Sequence, residues 1–170
     1  IKQAQPEEGN DTAQNEREIR KNIFKNERVN FILGVILVIF SLYLTISFIS
    51  FFFTGSIDQS KVENLSVGEL SSIGNEIQNW TGAFGAYLSN LMINRWMGIS
   101  AFIVSLWLYV VGRRFMKVAH TRMIRFTISC ALSIIVLSLF FGFIFMHSYN
   151  NTFLYLGGYH GYYATLWLNA

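Results

Sequence analysis

The sequence predicts an all-α, polytopic helical membrane domain with three transmembrane helices, the start of a fourth and an interfacial amphipathic segment. Composition is the first reason. Of 170 residues, 52% are hydrophobic and only 14% are charged, with 16 Phe, 8 Tyr and 4 Trp against a single Pro. Soluble domains carry roughly 25% charged residues. A soluble core of this size could not hide so much apolar surface behind so few charges. The second reason is order along the chain: three long uncharged apolar stretches alternate with polar ones. Together these features argue against a disordered chain and against a soluble enzyme.

Residues 1–28 hold six basic and six acidic residues, together with Pro6 and Gly9, and read as a flexible cytoplasmic tail. They do not resemble a cleaved signal peptide, being too long, too acidic and without a small-residue cleavage site. Val29 to Phe53 runs 25 residues without a charge, and 18 of these are Val, Ile, Leu or Phe. As a helix this reaches roughly 37 Å, more than the roughly 30 Å hydrocarbon core. Thr54 to Thr81 is polar, with Asp58, Glu63, Glu69 and Glu76 against Lys61, and reads as an outer loop.

Gly82 to Gly112 is composite. Trp96 to Gly112 is uncharged but covers only roughly 26 Å. Ahead of it, Phe84, Leu88, Leu91 and Met92 recur at helical spacing with Ser89, Asn90 and Asn94 opposite. Residues 82–95 are therefore the expected interfacial segment. Trp80, Arg95 and Trp96 are its expected interface anchors, with Arg95 snorkelling to the headgroups. A basic loop follows at 113–125, and Phe126 to Met146 is the third span. Residues 147–170 form an aromatic outer tail in which Tyr162 to Ala170 starts to look helical. The chain opens on Ile1 rather than Met and is read as part of a longer protein whose fourth span begins near Ala170.

Charge sets the topology. Arg113, Arg114, Lys117, Arg122 and Arg125 lie in the loop after span two, Lys61 alone in the loop after span one, and no Lys or Arg after span three. Cytoplasmic loops carry the Lys/Arg excess, so the N-terminus and basic loop are expected inside. The same five cations are candidates for anionic lipid headgroups or DNA phosphate.

No phosphate-binding Gly-x-x-x-x-Gly-Lys-Ser/Thr loop, dinucleotide fingerprint or His-Glu-x-x-His motif is present, and no acid lies inside the three apolar stretches. Neither catalysis nor an ion relay is expected of this chain. His120 reads as a solvated loop residue, and His147 with His160 makes a poor metal pair. Cys130 stands alone, which excludes an intrachain disulfide. No catalytic, cofactor or metal residue is assigned. Close helix contacts are expected at Gly82, Gly85 and Gly98, and at Ser129 and Ser133, which share the small-xxx-small spacing.

Four stretches then carry a resemblance. They are Phe51-Phe52-Phe53-Thr54-Gly55-Ser56-Ile57-Asp58-Gln59-Ser60, Asn79-Trp80-Thr81-Gly82-Ala83-Phe84-Gly85-Ala86-Tyr87-Leu88-Ser89, Gly98-Ile99-Ser100-Ala101-Phe102 and Gly157-Gly158-Tyr159-His160-Gly161. In this order the chain resembles the N-terminal four-helix membrane region of the FtsK/SpoIIIE DNA translocases. The resemblance covers roughly residues 25–170, and departs where Ser105 replaces a proline found in many relatives.

The resemblance implies a bacterial inner-membrane, septum-localising domain. It would be tied to a hexameric cytoplasmic motor that uses ATP and magnesium to pump double-stranded DNA and works with other cell-division proteins. That motor is outside this chain. A small integral membrane scaffold or subunit of another complex is the alternative reading. A transporter or channel fragment ranks last.

Overall fold

The computed structural model describes residues 26–63, 67–70, 72–118, 122–146 and 154–169. Helix α1 spans Glu27–Val62 and α2 spans Gly82–Ser89, which continues into a π-helical segment, Asn90–Met97. A 3-10 turn at Gly98–Ser100 leads into α3, Ala101–Phe115. Helix α4 spans Met123–Ile144 and α5 spans Gly158–Asn169. No strand occurs among the described residues. Glu27–Val62, Gly82–Phe115 and Met123–Ile144 are long and apolar enough to cross a bilayer by length and composition, although the second of them is interrupted at Gly98.

Asn26 starts α1 by accepting the Arg28 N–H at 3.1 Å. The helix then runs past the end of its apolar stretch at Phe53 to Val62, because hydropathy marks where lipid stops and not where a helix must stop. Ser41, Leu44, Phe48, Phe51, Gly55, Asp58 and Val62 follow one another at three- and four-residue steps and form its buried face, with Ser47 beside them. On the opposite face Phe31, Ile36, Ile39 and Phe53 are exposed, as are Ile124, Leu132, Val136 and Phe143 on α4. Exposed rows of this size have lipid as their solvent.

Helix α3 lies antiparallel on α1. A Cβ at Gly34 would stand 2.6 Å from the Gly112 carbonyl oxygen, and one at Gly112 would stand 2.8 Å from that of Gly34, so only glycine permits this crossing. Further along, Ser41 Oγ donates to the Ser105 carbonyl at 2.7 Å and Thr45 Oγ1 to Ser105 Oγ at 3.1 Å. Phe48 then meets Phe102 edge-on at 5.4 Å. Ser105 is thus a hydroxyl contact between the two helices.

Helix α2 follows α1 in the other sense: Thr81 meets Tyr43, and Ser89 meets Ser47. The chain therefore folds back at Gly98, and residues 82–97 form a separate element at the end of the bundle away from the basic residues. Their polar side turns inward. Ser89, Asn90 and Asn94 are buried, Leu88 and Met92 pack half-buried against the core, and Phe84 and Trp96 are exposed. Inside the bilayer boundary a buried hydroxyl or amide finds partners in protein, which lipid cannot supply.

Candidate functional site

The interruption of the second span is the most specialised part of the molecule. Asn90 to Met97 is wound as a π-helix, a form that is rare and short in proteins. It ends at Gly98, whose backbone stands at φ 67° and ψ −146°. A broken helix leaves backbone groups without partners, and lipid offers none. Here the turn preceding α5 supplies them. The Ile99 N–H donates to the Leu156 carbonyl at 2.8 Å, and Asn94 Oδ1 accepts the Tyr155 N–H at 3.1 Å. Asn94 Nδ2 also donates to Asn90 Oδ1 at 3.1 Å, which fixes the amide. The turn closes on itself through Gly158 N–H to the Tyr155 carbonyl at 2.8 Å.

Helix α5 is held against α4 by glycine and serine. Ser138 Oγ donates to the Gly157 carbonyl at 2.6 Å, and a Cβ at Gly142 would stand 2.6 Å from the Gly161 carbonyl oxygen. Thr165 Oγ1 turns back onto the Gly161 carbonyl at 2.7 Å. The small-xxx-small contact in α4 is thus Ser138 with Gly142. Ser129 is exposed and Ser133 only half-buried, so the expected pair faces away from this contact. Ser138 and Gly142 share that spacing on another face of α4, and the position of α5 selects their face.

The remaining glycines differ among themselves. Gly85 lies against Thr81 and Ser47, and a Cβ there would stand 2.7 Å from Ser47 Oγ. At Gly98 a Cβ would overlap the Leu156 carbonyl. Gly82 has open space around it and serves the backbone instead, at φ 79°. Trp80 is exposed and stacks on Phe53 with ring centres 6.1 Å apart. Trp96 is exposed beside the break. Arg95 is half-buried and donates to the Glu63 carbonyl at 2.7 Å, a cation at the end of α1 where the helix dipole favours one.

A second polar lock ties the connection between α1 and α2 to α1. Asp58 is fully buried on α1 rather than placed in a loop, and its Oδ1 accepts the Gln78 N–H at 2.8 Å. Its Oδ2 has no hydrogen-bond partner among the described residues. Asn79 Nδ2 donates to the Ser47 carbonyl at 3.2 Å, and the Trp80 N–H donates to Ser50 Oγ at 3.0 Å. These groups bond to one another, and what they provide is adhesion between helices.

The cations gather at the far end of the bundle. Arg113 stands over the Tyr109 ring at 5.7 Å, and Arg114, Lys117, Arg122 and Arg125 are exposed. Lys117 pairs with Glu27 at the start of α1. His160 is exposed on α5, while His120 and His147 lie outside the described residues. Among the described residues no three His, Cys, Asp or Glu side chains gather where a metal could sit.

One family matches this chain: the 4TM region of DNA translocase FtsK/SpoIIIE, over residues 26–170. The chain belongs to that family. The match takes in every helix described above, from Asn26 at the start of α1 to the end of α5. Comparison with curated proteins and with solved structures gives no significant match. The FtsK/SpoIIIE assignment and the three apolar helices together make this a membrane protein.

Proposed function

We propose that this FtsK/SpoIIIE membrane region anchors a DNA-translocating motor in the bacterial inner membrane and brings it to the division septum, coupling chromosome segregation to division. The carrying observation is the family match through the whole helical bundle. The N-terminus and basic loop face the cytoplasm in this reading, which the gathering of Arg113, Arg114, Lys117, Arg122 and Arg125 at one end supports. The motor lies outside this chain, and ATP, magnesium and double-stranded DNA are assigned to it. The anchor assembles as a homo-oligomer, a hexamer in register with the motor, and meets other division proteins through its membrane and outer surfaces.

A fluorescent fusion of residues 1–170 tests this directly. It should concentrate at midcell in dividing bacteria in the absence of any motor domain. Uniform peripheral fluorescence in dividing cells would contradict septum localisation while leaving membrane insertion intact.

A further inference from the structure

At the basic end of the bundle two adjoining crevices, of about 360 and 290 Å³, open between the start of α1 and the end of α3. Phe115 and Lys117 line both. Arg28 borders the larger one and Arg114 and Asn30 the smaller, over an apolar floor that includes Phe31 and Met116. The crevices thus carry three cations, an amide and the Glu27 carboxylate at the rim, with aromatic and aliphatic groups beneath. They sit at the paired ends of α1 and α3, which in the membrane reading proposed above is the level of phospholipid headgroups.

Lys117 adds an independent observation. The C-terminus of α3 closes with the Val118 N–H on the Arg113 carbonyl at 3.1 Å and the Lys117 N–H on the Arg114 carbonyl at 3.0 Å. This is a Schellman closure, whose left-handed position usually holds glycine. Here Lys117 occupies it at φ 59°, the one non-glycine residue with positive φ among those described. An L-residue there is strained relative to glycine. The strain is retained at a residue that lines both crevices, which points to a use for its charge.

We propose that Arg28, Asn30, Arg114 and Lys117 form a binding site for the headgroup phosphate of an anionic phospholipid, with the acyl chains lying along Phe31 and Met116. Glu27 holds Lys117 at the rim until the phosphate arrives. An apolar floor continuous with the membrane favours a lipid over DNA, which would present no apolar part to it. Arg122 and Arg125 do not line the site. The proposal rests on the inside placement of this end only for the choice of leaflet.

The test is lipid retention by the purified full chain in detergent, measured by native mass spectrometry with phosphatidylglycerol against phosphatidylcholine. The chain should retain phosphatidylglycerol preferentially. Arg28→Gln, Arg114→Gln and Lys117→Gly should each weaken retention roughly fivefold, the effect of one cation near a charged surface. Arg122→Gln and Arg125→Gln should leave it unchanged. Lys117→Gly relieves the left-handed strain, so its melting temperature should hold or rise while lipid is lost, which separates binding from folding.

Equal retention of both lipids, an equal loss in the Arg122 and Arg125 variants, or displacement of the lipid by short duplex DNA at equal phosphate concentration would overturn the site. An inverted topology would leave all of these binding results unchanged.

Discussion

Gly98 shows what a single residue decides here. It must adopt a positive φ and must also let the Leu156 carbonyl approach. Gly98→Ala meets both obstacles and should cost about 2 kcal/mol or more. Gly82→Ala meets only the first, because the space around it is open, and should cost about 1 kcal/mol. Thermal unfolding in detergent should rank the two in that order. Asp58 offers the opposite case. A buried carboxylate with one oxygen unpartnered among the described residues is an expensive group. Asp58→Asn keeps an acceptor for the Gln78 N–H and removes the charge, so its melting temperature should equal or exceed that of the parent. Asp58→Ala leaves that N–H without its acceptor and should destabilise the protein by about 1–3 kcal/mol, with a lower melting temperature.

Among the elements, the docking of the turn before α5 onto the π-helical segment depends on Asn94. Asn94→Ala removes the acceptor for the Tyr155 N–H and the donor to Asn90, at a cost of about 1–2 kcal/mol. Hydrogen exchange should then accelerate at residues 155–158 and remain unchanged at the Gly34–Gly112 crossing. An equal acceleration at both would mean that the bundle opens as one unit.

These elements also divide what the sequence reveals from what it hides. Three apolar helices were legible because lipid demands long uncharged stretches whatever they pack against. The fold-back at Gly98 was not, because Trp96 to Gly112 is continuously apolar and hydropathy carries no direction. Gly98 and the Gly157 to Gly161 cluster stood out in the sequence, but not as the two halves of one contact. Ser138 and Gly142 repeat the spacing of Ser129 and Ser133, and no rule internal to α4 chooses between the two faces. Asp58 looked like a loop acid because a buried charge gives no sign in the sequence of the N–H that holds it.

Across the whole molecule the charge distribution and the apolar surface describe one object. The exposed rows on α1 and α4 require lipid or detergent, and the polar locks lie at the end of the bundle opposite the cations. The central claim is a membrane bundle with its basic end in the cytoplasm. Cys130, the one cysteine of the chain, is buried and can be removed as Cys130→Ala, leaving a background for single labels. Asn75→Cys in the connection between α1 and α2 and Val118→Cys beside the basic end are both exposed positions. The decisive measurement is their reaction with a membrane-impermeant maleimide applied to bacteria whose outer membrane alone has been opened. Asn75→Cys should label at once and Val118→Cys only after the inner membrane is lysed. Labelling of Val118→Cys in intact spheroplasts with protection of Asn75→Cys would contradict the account.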